Sequence, residues 1–383
     1  MANNALAQKV ELEFQKRFGK EPLLIFSPGR INLIGEHTDY NNGFVFPAAI
    51  DKGIVCAIQK NNKDSCEVYA IDKNRSETFL LDHLKPVTNN WWLNYVLGVV
   101  SGVQEKSKLT ENFDIVFAGD LPSGAGLSSS AALENSIVFG LNELFDLKLS
   151  KKEMIAISQK AEHDFVEVKC GIMDQFASMF GVQDSALLLD CKTLASKTYQ
   201  VKFNQYKLLL INTNVKHSLA DSAYNDRRNV CESVAAKLGV TSLREVAISD
   251  LQSIEKDLSE ADFQKALYVL EENRRVLAAA ESLEKNDLKR FGELLFASHN
   301  GLQQQYNVSC AELDFLVSCA KESAAVIGAR MMGGGFGGCT INLLKATEIE
   351  QFKKEVEEAY IKKFYKPCSF YTVTLGKGVF RVN

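Results

Sequence analysis

The chain has 383 residues, 46% of them hydrophobic and 24% charged, a balance that belongs to a folded globular protein and excludes a fibrous chain or a long disordered tail. That length exceeds one ordinary core and predicts two domains in close contact. The net charge of -4 argues against a nucleic-acid-binding surface as the main purpose, so anionic ligands have to be met by local devices.

The opening residues, AQKVELEFQKRF, place Leu6, Val10, Phe14 and Phe18 on one face at helical spacing, which predicts an amphipathic helix and not a signal peptide. No apolar run approaches the roughly 18 residues of a membrane span, and no C-terminal lipidation motif is present. The expectation is a cytoplasmic protein with no membrane partner. Strands are predicted at residues 22–26, 44–50, 53–58, 66–71 and 77–81, a helix over 91–103 and a short strand at DIVFAGD. Helices follow over 128–145 and 151–166, then a short one between Gly171 and Gly181, then a buried strand at 186–190. The second half begins with a strand at 207–214 and continues with a helix-rich stretch over 219–322. It ends with a strand at 325–331, the run GGGFGG, the strand INLL, a helix over 347–363 and the strand SFYTVTL. A division at residue 190 gives domains 1–190 and 191–383, and with no low-complexity linker between them the two are expected to pack. The nine cysteines are scattered and never form a CxxC pair, so they read as reduced thiols. The five histidines show no metal-ligand spacing, and a zinc site is not expected.

Three segments carry chemistry. In LPSGAGLSSSAALE, Gly124, Ala125, Gly126 and Leu127 lead into Ser128, Ser129 and Ser130 at the start of a helix. The glycines let the backbone approach a ligand, and the free N–H groups and dipole of the first turn favour an anion. A Gly-rich turn with serine N-caps fits this segment equally well. No GxxxxGK[ST] occurs, and the formal GxGxxG at Gly333, Gly335 and Gly338 lies between two strands instead of opening a helix, so neither a P-loop nor a dinucleotide site is expected. In isolation MGGGFGG reads as a flexible hairpin. The segment SPGRINLIGEHTDYNNG packs Arg30, Asn32, Glu36, His37, Asp39 and Tyr40 among apolar Ile31, Leu33 and Ile34. That interleaving favours a partly buried site for a polyhydroxylated ligand over a solvated loop. Asp174, in GIMDQ, reads by pattern as a helix cap, and Glu162 and Asp164 as solvated helix charges.

Together these segments resemble the signatures of the galactose, homoserine, mevalonate and phosphomevalonate kinases, and GRINLIGEHTDYNNG resembles the signature of the galactokinases. The likeness extends to AEHDFVEVKCGIMDQFAS and to the order of the segments along the whole chain. It implies an α+β fold of two domains, an N-terminal domain like that of ribosomal protein S5 and a C-terminal ferredoxin-like domain, with the active site between them. It also implies ATP-dependent phosphorylation of the C1 hydroxyl of α-D-galactose by a monomer that uses Mg²⁺. By the same resemblance Asp174 and Arg30 are the catalytic pair, and Glu36, His37, Asp39, Gly171, Asp174 and Tyr224 hold the sugar. Ser129 and Glu162 match the magnesium ligands, and Trp92 lies beside the adenine, with residues 124–130 around the phosphates. Phosphoryl transfer needs an in-line nucleophile and neutralised charge, which suits a carboxylate that orients the hydroxyl and an arginine beside it. Two other readings keep the same machinery: a kinase for N-acetylgalactosamine or a related sugar, and a non-catalytic sensor of galactose and ATP.

Overall fold

The computed structural model describes residues 3–122, 124–215 and 220–382, with the side chains of residues 3 and 220–224 outside that description. Helix α1 (Asn3–Phe18) precedes strand β1 (Leu23–Asn32), a turn of 3-10 helix at Asp39–Asn41, and strands β2 (Phe44–Val45), β3 (Pro47–Lys60), β4 (Cys66–Ala70) and β5 (Arg75–Phe79). Then come α2 (Trp91–Lys106), β6 (Phe113–Gly119), α3 (Ser129–Phe145), α4 (Lys151–Phe165), α5 (Met173–Phe180), β7 (Ser185–Asp190) and β8 (Ala195–Gln200). The second half runs through β9 (Tyr206–Asn212), α6 (Ala220–Lys237), α7 (Ile248–Ser253), α8 (Glu260–Glu284), α9 (Leu288–Gln304) and α10 (Ala311–Glu322). It closes with β10 (Val326–Met331), β11 (Cys339–Lys345), α11 (Ile349–Phe364), β12 (Ser369–Thr372) and β13 (Phe380–Arg381). Among the described residues no helix is long and apolar enough to cross a membrane.

A mixed sheet in the order β13-β1-β3-β6-β4-β5 forms the first half, with α1 on one face and α2 to α5 on the other. The period of two in each strand produces that division. Leu24, Phe26, Val55 and Ala57 pack with Val10 and Phe14, whereas Ile25, Cys56 and Ile58 join the core under α2 to α5,. The second half is an antiparallel sheet, β10-β11-β9-β12, with Leu209 and Ile211 facing α10 and α11. Leu208, Leu210, Ile341 and Leu343 face the other way, into one continuous cluster with Ile31, Leu33, Phe46, Ala125 and Leu127 of the first half. The two halves therefore share a core, as the missing linker led one to expect.

Three local differences from the sequence reading matter. Strand β1 does not stop near residue 26; it shifts register between Pro28 and Arg30 and carries Arg30 and Asn32 within the sheet. At that irregularity a Cβ on Gly29 would lie 2.6 Å from Leu121 Cδ2 and 2.6 Å from the Leu127 carbonyl oxygen, so only glycine lets the segment 121–127 lie against the strand. Strand β8 was not anticipated, because ASKTYQ has no apolar alternation and is largely exposed; it is held by pairing with β7, Ser185 opposite Gln200. The sequence-based division at 190 passes between these two paired strands. The strand β13 returns from the far end of the chain to pair with β1, Phe26 opposite Phe380.

Candidate active site

Arg30, Glu36, His37, Asp39, Gly171 and Asp174 line one cavity of about 290 Å³, together with Ser130, Glu162 and the glycines 333–335. Four separate stretches of chain meet there: the end of β1 and its following loop, the start of α3, the segment from the end of α4 to the first turn of α5, and the β10–β11 connection. Tyr224 lies in α6, and its side chain falls outside the described residues.

Arg30 is 5% exposed. Its Nε donates to Asp174 Oδ1 at 2.7 Å, its Nη2 to Asp174 Oδ2 at 2.8 Å and its Nη1 to the Gly126 carbonyl at 2.6 Å. Burial pulls the guanidinium pKa down, yet the facing Asp174 carboxylate more than reverses this, and the net direction is upward,. The backbone N–H of Arg30 also donates to the Leu127 carbonyl at 3.1 Å. One arginine thus ties the carboxylate to the Gly/Ser loop, in the fork geometry that an arginine and a carboxylate share. Asp174 occupies the first turn of α5, but the N-cap there is Ile172, without a side-chain cap. The cap reading of Asp174 is therefore replaced by an ion pair.

The serine caps read from LPSGAGLSSSAALE are likewise absent. Ser128 precedes α3 with φ of 56° and makes no side-chain cap; its hydroxyl instead donates to Asp174 Oδ2. Gly124 and Gly126 both have φ of 68°, a left-handed conformation that glycine adopts without strain. Ala125 between them and Leu127 after them point into the shared core. The loop is thereby fixed from below. Ser129 and Ser130 line a second cavity of about 370 Å³ with Trp92, Tyr95, Phe117 and Lys73. Ser130 belongs to both cavities, so they adjoin at the first turn of α3. Trp92 is 8% exposed and packs on Phe117 with centroids 5.6 Å apart, whereas Trp91, at the same cavity, is 61% exposed.

The polar loop after β1 is buried, as the interleaved apolar residues implied. Glu36 Oε1 accepts from Arg330 Nη2 at 2.7 Å and from the Gly333 N–H at 2.9 Å. The hairpin form of MGGGFGG is correct, with Met331 opposite Thr340, but its glycines are held over the site. His37 Nδ1 lies 2.8 Å from the Tyr40 hydroxyl, which lies 2.7 Å from that of Tyr306. Burial pushes the His37 imidazole down to about 3, so the ring is neutral at ordinary pH,. Asp39 is pushed up to about 7, first by burial and then by the neighbouring Asp174 and Glu36 carboxylates,. Gly171 makes this crowding possible: a Cβ there would stand 2.0 Å from Asp39 Oδ2.

Glu162 is buried and accepts from Gln175 Nε2 at 3.3 Å, whereas Asp164 is an exposed partner of Lys160. The solvated reading therefore holds for Asp164 and fails for Glu162. The same Gln175 amide reaches Glu134 Oε2 at 3.3 Å, and Glu134 Oε1 is buried without a hydrogen-bond partner. Burial, and next the proximity of Glu162, push the Glu134 carboxyl well up. Two buried carboxyl groups side by side, one with an orphaned oxygen, fit a divalent cation, whose charge would let both ionise,. Among the described residues no three His, Cys, Asp or Glu side chains converge as a metal cage; Mg²⁺ is commonly held by one or two carboxylates and substrate phosphates.

Sequence reasoning missed Arg330, Tyr306 and Glu134. Only Arg330 left a signal, a lone charge in the apolar strand VIGARM.

Comparison with known proteins shows the family. The galactokinase galactose-binding signature matches residues 12–60, the N-terminal domain of GHMP kinases residues 94–182, and their C-terminal domain residues 279–362. A galactokinase of Clostridium acetobutylicum is 40% identical over 388 residues, covering 99% of each chain. One from Thermotoga neapolitana is 40% identical over 356 residues, covering 93% of this chain and 99% of its own. The crystal structure of Lactococcus lactis galactokinase complexed with galactose superposes with a TM-score of 0.93 at 35% identity, covering 100% of both chains. Methanococcus jannaschii mevalonate kinase, at 18% identity, TM-score 0.66 and coverage of 93% and 99%, shares the fold. With its signature and its full length both matched, the chain belongs to the galactokinase family of GHMP kinases.

Proposed function

We propose that the protein transfers the terminal phosphoryl group of ATP to the C1 hydroxyl of α-D-galactose, with Arg30 and Asp174 at the point of transfer. The observation that carries this reading is the two-point contact of Arg30 with Asp174, joined through Gly126 to the Gly/Ser loop. It sets a carboxylate between a polar cavity and an anion-binding turn. In the proposed reaction Asp174 accepts the hydroxyl proton, the sugar oxygen bonds to phosphorus, and ADP leaves. Arg30 orients the carboxylate and offsets charge on the migrating group. Glu36, His37, Asp39, Gly171 and Tyr224 are assigned to the sugar. Trp92 and residues 124–130 are assigned to ATP.

Mg²⁺ belongs to this proposal, with Glu162 and Ser129 as its protein ligands, and Ser130 the alternative serine because it shares a cavity with Glu162. When bound, the ion neutralises phosphate charge. The division of the chain into residues 1–190 and 191–383 is retained as a proposal: the first part supplies Arg30, the loop and Asp174, and the second supplies Arg330 and Gly333. A monomeric state and a cytoplasmic location complete it, and the nine cysteines are all free, which suits a reducing compartment.

The test is coupled ADP release on galactose, glucose, N-acetylgalactosamine and mevalonate. Turnover is expected with galactose and strong discrimination against glucose, because a site built to pair each hydroxyl leaves polar groups unpaired with an epimer. Galactose binding without turnover, or a preference for another member of the panel, would overturn the assignment.

A further inference from the structure

Arg330 has no solvent exposure, although its strand, β10, is otherwise apolar, and a guanidinium taken out of water needs its donors satisfied. The acceptors are specific. Nε donates to the Leu33 carbonyl at 2.8 Å, Nη1 to the Met331 carbonyl at 2.7 Å, and Nη2 both to the Asn32 carbonyl at 2.8 Å and to Glu36 Oε1 at 2.7 Å. Three of those four acceptors lie within residues 32–36, where β1 gives way to the polar loop. The Gly333 N–H, three residues along from Arg330, donates to the same Glu36 oxygen at 2.9 Å. Thus one oxygen of Glu36 is committed twice to the C-terminal half, while the residue lines the cavity assigned to the sugar.

We propose that Arg330 is a positioning residue for sugar selection: from the second half of the chain it fixes the end of β1 and locks Glu36 Oε1 so that Oε2 is presented to a galactose hydroxyl. This rests on the reading of the cavity as the galactose site. A hydrogen-bond acceptor discriminates between epimers only when it cannot follow the hydroxyl, and Arg330 removes that freedom. Lysine cannot substitute, because one ammonium does not span acceptors spread over Asn32, Leu33 and Glu36.

The experiment compares wild type with Arg330→Lys by calorimetric titration of galactose and by steady-state kinetics with galactose and glucose, normalised to folded protein. The expected result is a rise of about tenfold or more in KM for galactose and a galactose-to-glucose ratio of kcat/KM narrowed by about tenfold, with KM for ATP within about twofold of wild type. A folded variant with unchanged KM and ratio overturns the proposal. A fall in kcat alone does so too, since that is how a merely structural role reads. Should the variant not fold, a crystal structure of the wild type with galactose settles the matter. Glu36 Oε1 retained on Arg330 and Gly333, with Oε2 on the sugar, supports the role; a carboxylate swung off Arg330, or out of reach of the sugar, refutes it. A wild type that binds no galactose overturns the functional reading as well, whereas a normal wild type with an indifferent variant sinks only the role of Arg330.

Discussion

Arg30 and Asp174, 144 residues apart in sequence, meet through two parallel hydrogen bonds of 2.7 and 2.8 Å, and the Ser128 hydroxyl takes the remaining side of the same carboxylate. The carboxylate is held by three hydrogen bonds from two sides yet keeps 27% of its side chain open to the cavity. It is aimed, and it is accessible.

Removing the proton acceptor while keeping the shape isolates its chemistry. Asp174→Asn keeps the shape and one oxygen for Arg30 but removes its counter-charge, so it should still fold, with a lowered thermal midpoint, and lose on the order of 10² or more in kcat. Circular dichroism and single-turnover phosphorylation of galactose check the two halves of that statement. A folded variant with near-normal turnover would remove Asp174 from the transfer step.

At Gly171 the prediction is steric. The nearest atom to an added Cβ is Asp39 Oδ2 at 2.0 Å, and Asp39 Cγ follows at 2.2 Å, so Gly171→Ala must displace a carboxylate assigned to the sugar. KM for galactose should rise by about tenfold or more while KM for ATP stays within about twofold, because the loss of one well-placed polar contact is worth about 1–3 kcal/mol. Equal damage to both constants would mean that the site had moved as a whole.

These two residues also show what could be read without coordinates. Nothing in periodicity separates Asp174 from any aspartate in a first helical turn; its role was accessible only through the resemblance of whole segments, because its partner Arg30 lies on a distant strand. Glu162 sits on a helical face that pattern alone reads as solvated, and only the packing of α3 and α5 over it reveals a buried carboxylate. The sheet of the first half was legible, since Ile25, Cys56 and Ile58 alternate with Leu24, Val55 and Ala57. The strand β8 was not, because an exposed strand held by one neighbour carries no hydrophobic alternation. Arg330 stood in plain sight as a charge within an apolar strand, but three of its four acceptors, on Asn32, Leu33 and Glu36 far back along the chain, did not.

The two tryptophans at the second cavity separate base contact from packing. Trp92→Ala empties a buried position against Phe117 and should cost about 3–5 kcal/mol of stability, along with a higher KM for ATP. Trp91→Ala, at an exposed position, should change stability by no more than about 0.5 kcal/mol. Nucleotide titration of both folded variants tests the assignment of Trp92 to the adenine. If Trp91→Ala alone weakens ATP binding, the assignment passes to Trp91.

The pH dependence of stability sets Asp39 against His37. Asp39 is pushed up to about 7, so between the ordinary carboxylate value near 4 and about 7 the folded state holds a proton that the unfolded chain releases. Its contribution is full below pH 4 and is lost as pH rises through 7. His37 is pushed down to about 3, so between 3 and about 6.5 the unfolded chain holds the extra proton. Its contribution is full above pH 6.5 and is lost as pH falls through 3. Over the shared window, from about pH 4 to 6.5, the two slopes have opposite sign and cancel, and the wild type conceals both. Single substitutions expose them. Relative to wild type, Asp39→Asn should gain stability steadily from pH 4 to 7, by on the order of a few kcal/mol. His37→Asn, which keeps a side chain tolerant of the φ of 62° at that position, should instead lose stability relative to wild type over the interval from pH 3 to 6.5. Urea unfolding of the ligand-free proteins across pH 4 to 8 measures both differences, and a difference that stays flat for either variant would show that its residue ionises in the folded chain much as it does in water.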